Sequence, residues 1–374
     1  MAADDDLRGD LRWGTTPGLL ASAVERFADD EAIVDGDVRL SWIELGQRVD
    51  RAARAFLAAG IERGDRVAIW APNCWEWVVA LLGLQSAGAA VVPLNTRYKG
   101  AEAGYILRTS RARILVTVDG FLANSHIDML AKEDLPDVER IVVLRTDEVR
   151  RATQAPTVGW DDFLATGEST DPGLVDARRR EIATDDVADL LFTSGTTGHP
   201  KGVLQTHAQT IRAFTSWADV VGLRHGDRYL IVNPFFHAFG YKAGIIACMV
   251  TGAVMLPLPV FDVPAVMRAV DAERISMLPG PPTLYQTILN HPDRTSVDTS
   301  SLRLAVTGAA AVPVSLVERM RDDLGFSTVI TGYGLTEACG IATMCRHDDD
   351  ATTISTTSGR AIPGVEVRVI DDTG

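Results

Sequence analysis

One nine-residue pattern occurs twice in this chain, and the repeat limits the folds open to it. Gly64-Asp65-Arg66-Val67-Ala68-Ile69-Trp70-Ala71-Pro72 returns, at an offset of 162, as Gly226-Asp227-Arg228-Tyr229-Leu230-Ile231-Val232-Asn233-Pro234. Downstream, Ala87–Leu94 is echoed by Thr251–Leu258 at an offset of 164, and Arg113–Val116 by Arg274–Met277 at 161. Each copy reads as a helix, a G-D-R turn, an apolar strand, a second helix, a Gly-Ala turn and another apolar strand. Short uncharged strands alternating with helices predict parallel sheets covered on both faces. The expectation is an α/β fold of two similar helix-covered, mostly parallel lobes, with generic α/β punctuation as the bland alternative. At 374 residues the chain is long enough for two or three packed units. Lobe one is placed at about 1–180, lobe two at about 181–330, and the start of a small β-barrel at 331–374.

Local signals agree. Gly18 to Phe27 is amphipathic, and Ala32 to Val34 reads as a strand. Ser41 and Glu44 form a capping box for a helix that ends near Gly60. Residues 145–186 are charge-rich and read as a surface connection, with Arg178-Arg179-Arg180 on a solvated helix face. Val365 to Ile370 reads as strand.

Charge and composition exclude several classes. The 36 basic and 50 acidic residues give a net charge of −14, which argues against nucleic-acid binding. Cys74, Cys248, Cys339 and Cys345 form no C-x-x-C pair, so reduced thiols in a cytoplasmic protein are expected. The seven histidines show no metal-ligand spacing. The acidic first residues lack a signal-peptide pattern. Ala243 to Phe261 carries no charge, but Gly252, Pro257 and Pro259 divide it into a short helix and a strand, so no membrane span is expected.

The stretch Leu191 to Val203 reads L-F-T-S-G-T-T-G-H-P-K-G-V. An apolar strand leads into Thr193, Ser194, Gly195, Thr196, Thr197 and Gly198, and Lys201 follows. Glycine frees backbone N–H groups to converge, hydroxyls add donors and lysine adds charge, as a polyphosphate requires. A plain surface turn has similar composition. The P-loop pattern G-x-x-x-x-G-K-[ST] does not fit, because Pro200 stands at the second glycine and Gly202 follows the lysine.

Four more stretches sit where apolar strands end, the edge at which open α/β sheets bind ligands. Asn233 to Gly240 puts His237 among aromatics, where it could equally be a satisfied core histidine. Met277 to Tyr285 is a strand end and a Pro-rich turn. In Leu304 to Ala311, the residues Gly308, Ala309 and Ala310 permit a flat base to approach the backbone or a helix to pack closely. Val329 to Gly340 sets Tyr333 between Gly332 and Gly334, then Thr336 and Glu337. A tyrosine can stack on a base and a glutamate can hold magnesium, or Glu337 can simply favour a helix start.

With these motifs in this order, the chain resembles the adenylate-forming acyl-CoA synthetases from about residue 15 to its end. The resemblance implies an ATP-dependent ligase that joins a carboxylate to AMP and passes the acyl group to coenzyme A. It implies that Thr193 to Lys201 hold the β- and γ-phosphates and that Thr193 and Glu337 share Mg2+. Gly308, Ala309 and Ala310 would line the adenine with Tyr333 stacked on it, flanked by Gly332 and Gly334. Thr336 would contact the α-phosphate and the attacking carboxylate. His237 would border the acyl pocket, with Phe239, Tyr241, Tyr285, Cys339 and Gly340 as further pocket candidates. Lys201, His237, Thr336 and Glu337 are the expected catalytic set. The segments F-F-H-A-F-G-Y-K-A-G-I, L-P-G-P-P-T-L-Y-Q and Y-G-L-T-E-A-C-G look like the steroid-degradation branch, which implies a fused-ring hydrindane propionate. A medium-chain or aromatic acid, or a non-catalytic nucleotide-binding module, stays open, as does a homodimer. Family members continue past Gly374 into a small C-terminal domain, so a truncated, poorly active large domain is expected.

Overall fold

The computed structural model describes residues 7–146, 148–150, 153–193, 198, 200–308 and 310–371. Its strands in chain order are β1 Glu31–Asp35, β2 Val38–Ser41, β3 Arg66–Trp70, β4 Ala90–Pro93, β5 Ile114–Val118, β6 Arg140–Leu144, β7 Thr157–Gly159, β8 Val187–Thr193, β9 Lys201–Thr206, β10 Arg228–Ile231, β11 Val254–Pro257, β12 Leu304–Thr307, β13 Thr328–Tyr333, β14 Thr343–Met344 and β15 Arg360–Ala361. One sheet runs β7-β6-β5-β3-β4-β8-β9 and is parallel except for the β8–β9 hairpin. The other runs β2-β1-β11-β10, then through two isolated bridges at Met277, to Tyr229 and to Leu304, on to β12 and β13, with β14 and β15 added antiparallel.

The repeat is real in three dimensions. Arg66 pairs with Ala90 as Arg228 pairs with Val254, so the offsets of 162 and 164 are register-true. The third pair needs correction. Val67 pairs with Ile114 and Tyr229 with Met277, which makes that offset 163 rather than 161. The 161 offset aligned R-I with R-I, but the ladder aligns hydrogen bonds: Arg66 O accepts from Arg113 N, and Arg228 O accepts from Ser276 N.

The chain changes sheets at places other than residue 180. The hairpin β1–β2 belongs to the second sheet and β8–β9 to the first. Helix Trp75–Ser86 explains why this packs. Eleven of its residues are buried, and it touches β1 of one sheet and β3 and β4 of the other. A helix apolar all round has no solvent face, so it must be an inner layer. Its repeat partner, the helical stretch Ala238–Thr251, is buried in the same way, and Trp77 meets Phe235 and Tyr241 at ring distances of 5.1 and 6.1 Å.

The capping box is present, with Glu44 N–H donating to Ser41 Oγ at 3.2 Å and Ser41 N–H to Glu44 Oε2 at 2.8 Å. Residues 145–186 are less peripheral than expected, because Trp160 and Phe163 are buried. Arg178 and Arg179 are not merely solvated: Arg178 donates to Ala87 O at 2.9 Å and Arg179 to Asp50 at 2.6 Å. The expected strand at Val365–Ile370 is absent. Those residues find no ladder partner among the described residues, and Val369 is 94% exposed. Among the described residues no helix is long and apolar enough to cross a membrane.

Candidate active site

Four neighbouring strand ends converge on one cavity. β10 ends before Asn233 and His237, the bridge residue Met277 leads to Gly280 and Pro281, β12 ends at Thr307 before Gly308, and β13 ends at Tyr333, between Gly332 and Gly334. Trp217, Phe239, Val306, Gly340 and Ile341 complete the wall of a space of about 220 Å³. A parallel sheet presents all its carboxyl ends at one edge, so residues far apart in sequence meet there.

Glycines open this edge. At Gly334 a Cβ would lie 2.1 Å from Gly340 O, so no side chain fits without moving the loop. Gly308 has φ +152°, and a Cβ there would press on Gly332 O at 3.3 Å. Two polar atoms at the wall, Thr307 Oγ1 and Asn233 Nδ2, are buried and have no hydrogen-bond partner among the described residues. Buried polar groups without partners are uncommon, and both of these belong to residues of the cavity wall.

His237 lies at the cavity mouth. Its Nδ1 accepts the Phe239 N–H at 3.1 Å, so the neutral ring carries its proton on Nε2. Surrounding protein depletes its hydration and holds its pKa below the ordinary imidazole value of 6.5. The turn before it is pinned from the other half of the molecule. Asn73 Nδ2 donates to Ile231 O at 3.0 Å and Asn233 O at 2.9 Å, and its Oδ1 accepts Phe235 N–H at 2.7 Å. The reading of the sequence missed Asn73, although it directly follows the first copy of the repeat.

Of the hydroxyl stretch, Thr193 ends β8 and pairs with Lys201 at the start of β9. Lys201 is exposed, and Tyr105 Oη donates to Pro200 O at 3.3 Å. Ser194, Gly195, Thr196, Thr197 and Ala309 lie outside the described residues. Gly198 has φ +98°. Ala310 and Glu337 are exposed, as is Tyr333 at 50%, at the end of β13.

Three pocket expectations are corrected. Tyr241 is fully buried, and its Oη accepts from Gln85 Nε2 at 3.1 Å. Tyr285 is also fully buried, and its Oη donates to Leu278 O at 2.8 Å. Both rings are core, directed inward by helices that the pattern of aromatic residues did not resolve. Cys339, in the left-handed region at φ 61°, places its Sγ 3.6 Å from Lys242 Nζ and is not part of the cavity wall, while Gly340 beside it is.

No group of three or more His, Cys, Asp or Glu residues that could hold a metal occurs among the described residues. A magnesium ion carried mainly by phosphates needs only one or two protein oxygens, so Thr193 and Glu337 as a donor set fit that chemistry.

A family model described as AMP-binding enzyme matches residues 20–374. A 3-[(3aS,4S,7aS)-7a-methyl-1,5-dioxo-octahydro-1H-inden-4-yl]propanoyl:CoA ligase of Rhodococcus jostii is 48% identical over 362 residues, covering 96% of this chain and 69% of that protein. The ligase of the same name from Mycobacterium tuberculosis is 48% identical over 363 residues, covering 97% of this chain and 70% of that protein. Among solved structures, an anthranilate CoA ligase in complex with anthranoyl-AMP matches with a TM-score of 0.81 at 25% identity, over 96% of this chain and 67% of that one.

Proposed function

The chain belongs to the AMP-binding enzyme family and is an AMP-forming acyl-CoA ligase; from that premise we propose that its acid is a fused-ring propionate of the hydrindane type. The observation that carries the substrate class is the 48% identity, over nearly the whole chain, to two ligases named for that acid. The cavity agrees in character. Trp217, Phe239, Val306, Pro281 and Ile341 form an apolar wall suited to a rigid ring system, and Asn233 Nδ2 is a donor that a ring ketone can satisfy.

The residues then divide the work. Thr307 Oγ1 and the open backbone at Gly308 and Gly332 receive the nucleotide base. The hairpin from Thr193 to Lys201 and the turn at Thr336 receive the phosphates. The acid's carboxylate attacks the α-phosphorus of ATP and pyrophosphate leaves; the thiol of CoA then attacks the acyl carbonyl, loses its proton, and AMP leaves. Positioning and charge neutralisation supply the rate, with Lys201 as the exposed cation on the hairpin. Thr193 and Glu337 would hold magnesium, which would supply neutralisation of phosphate charge. His237, neutral and with Nε2–H as its free donor, orients the acid at the mouth.

The test is thermal melting with non-hydrolysable acyl-adenylate analogues carrying fused-ring, aromatic or linear acyl groups. A ligand at one hundred times its Kd stabilises the native chain by about 2.7 kcal/mol. The largest rise is expected for the fused-ring compound. Equal rises would remove the substrate assignment and keep the adenylate site, and no rise with any analogue would remove the site.

A further inference from the structure

Beneath the proposed site lies an ion pair that the ligase reaction does not itself require. Lys242 Nζ stands 3.0 Å from Asp189 Oδ2, and both side chains are wholly excluded from solvent. Nζ also donates to Thr210 Oγ1 at 2.9 Å and to Gln205 Oε1, and it meets Cys339 Sγ at 3.6 Å. An ammonium has three N–H donors and no acceptor, so these contacts exhaust it. Lys242 therefore has nothing left to offer a substrate.

The pair and its contacts join three different motifs, with Thr210 contributed by the helix His207–Val221. Asp189 and Gln205 are register partners in β8 and β9, the strands that flank the hydroxyl stretch. Lys242 follows His237 by five residues in a π-helical turn. Cys339 closes the Thr336–Ala338 turn. The link to that turn is direct. Because the ammonium can only donate, it fixes the Gln205 amide with Oε1 towards Lys242, and the NH2 group then faces and donates to Thr336 O. The same carbonyl accepts Cys339 N–H at 3.0 Å.

A buried pair of this kind is weak evidence for stability, because desolvation offsets the attraction. Here Asp189 Oδ1 lacks a partner among the described residues, and burial pushes the carboxyl pKa up against the pull of Lys242. We infer that Lys242 and Asp189, acting through Gln205, are positioning residues that set the Thr336–Cys339 turn against the β8–β9 hairpin. The inference rests on Thr336 belonging to the proposed site. It makes the two phosphate-facing segments one rigid unit, at the expense of a fully apolar core.

The test compares the parent chain with Gln205→Met and with the double variant Asp189→Leu/Lys242→Met, which leaves no lone buried charge. Three readouts are taken: melting temperature, amide exchange across 336–340, and affinity for the acyl-adenylate analogue. Both variants should keep a cooperative melt while exchange in that turn alone rises by roughly tenfold. Analogue affinity should fall by about tenfold, as the turn loses its set geometry. Unchanged exchange in a folded variant overturns the inference, and so does faster exchange spread evenly over the chain, which marks the pair as ordinary core. Faster local exchange with undiminished analogue affinity also overturns it. If the parent itself fails to bind the analogue, the proposed function falls, and the exchange comparison still decides the clamp.

Discussion

Asp65 and Asp227 stand 162 residues apart and hold the same turn in the two copies of the repeat. Asp65 Oδ2 accepts Glu62 N–H at 2.8 Å, and Asp227 Oδ2 accepts Arg224 N–H at 2.9 Å. Each aspartate's own carbonyl starts the next ladder, accepting Ala90 N–H at 2.8 Å or Val254 N–H at 2.7 Å. Each carboxylate also meets an arginine from the neighbouring strand region, Arg113 or Arg303. The copies differ in burial. The Asp227 side chain is 5% exposed and accepts the Ser276 hydroxyl as well, at 2.7 Å, whereas the Asp65 side chain is 23% exposed.

That difference sets the first prediction. Asp227→Ala leaves Arg303 and two hydrogen-bond donors without their acceptor at a buried site, and should cost about 3–5 kcal/mol. Asp65→Ala exposes its partners to water and should cost about 1–2 kcal/mol. Urea unfolding of the two variants measures both. Equal losses would show that burial does not distinguish the two copies.

Acid sensitivity follows from two buried histidines. His126 stacks on Trp70 at 3.9 Å, and His207 Nδ1 lies 2.9 Å from Thr16 Oγ1. Burial lowers each pKa from 6.5 to about 4. As pH falls below 6.5 the unfolded chain therefore takes up protons first. Stability is full above pH 6.5, declines as pH falls towards 4, and loses nothing further to these groups below that. Each histidine should account for a loss on the order of 3 kcal/mol. Unfolding free energies at pH 7.5 and 4.5 measure the loss. His126→Gln should remove about half of the histidine-linked part; an unchanged slope would assign the acid sensitivity elsewhere.

Much of the architecture was legible because its signals are local or repeated. Ser41 and Glu44 mark a helix start by chemistry alone, and the G-D-R turns mark equivalent strands by identity. The cavity edge could be read from strands ending in Asn233, Gly308 and Gly332. What could not be read was direction and partnership. Phe239 reaches the cavity and Tyr241 does not, because a π-helical turn carries Tyr241 and Lys242 inward together. The Lys242–Asp189 pair was invisible, since each is a single charge in an apolar run and the two are 53 positions apart. The membership of β1 and β2 in the second sheet depends on one parallel pairing, Ile33 with Met255, that no local pattern announces.

Those directions make a paired prediction. Tyr241→Phe removes only the hydrogen bond from Gln85 and should cost about 1 kcal/mol of stability. It should leave the ranking of fused-ring, aromatic and linear analogues unchanged. Phe239→Ala widens the cavity wall and should alter that ranking while shifting the melting temperature little, as the residue is only partly buried. Melting curves with the three analogues test both, and a changed ranking in Tyr241→Phe would return that ring to the acyl pocket.

Thr307 offers the sharpest separation of fold from binding. Its Oγ1 is buried beside Gly308 with no partner among the described residues, so the free chain gains nothing from the hydroxyl. Replacing an unpaired buried hydroxyl with a methyl of similar shape relieves a desolvation cost, and Thr307→Val should be neutral or stabilise the free chain by about 1 kcal/mol. If the nucleotide base sits at the end of β12, the same change removes one hydrogen bond to it and should weaken the acyl-adenylate analogue by roughly five- to tenfold. Melting with and without the analogue gives both numbers from one experiment. A variant that binds the analogue as well as the parent would mean that the base does not reach β12, and the nucleotide would then have to lie nearer the exposed Tyr333.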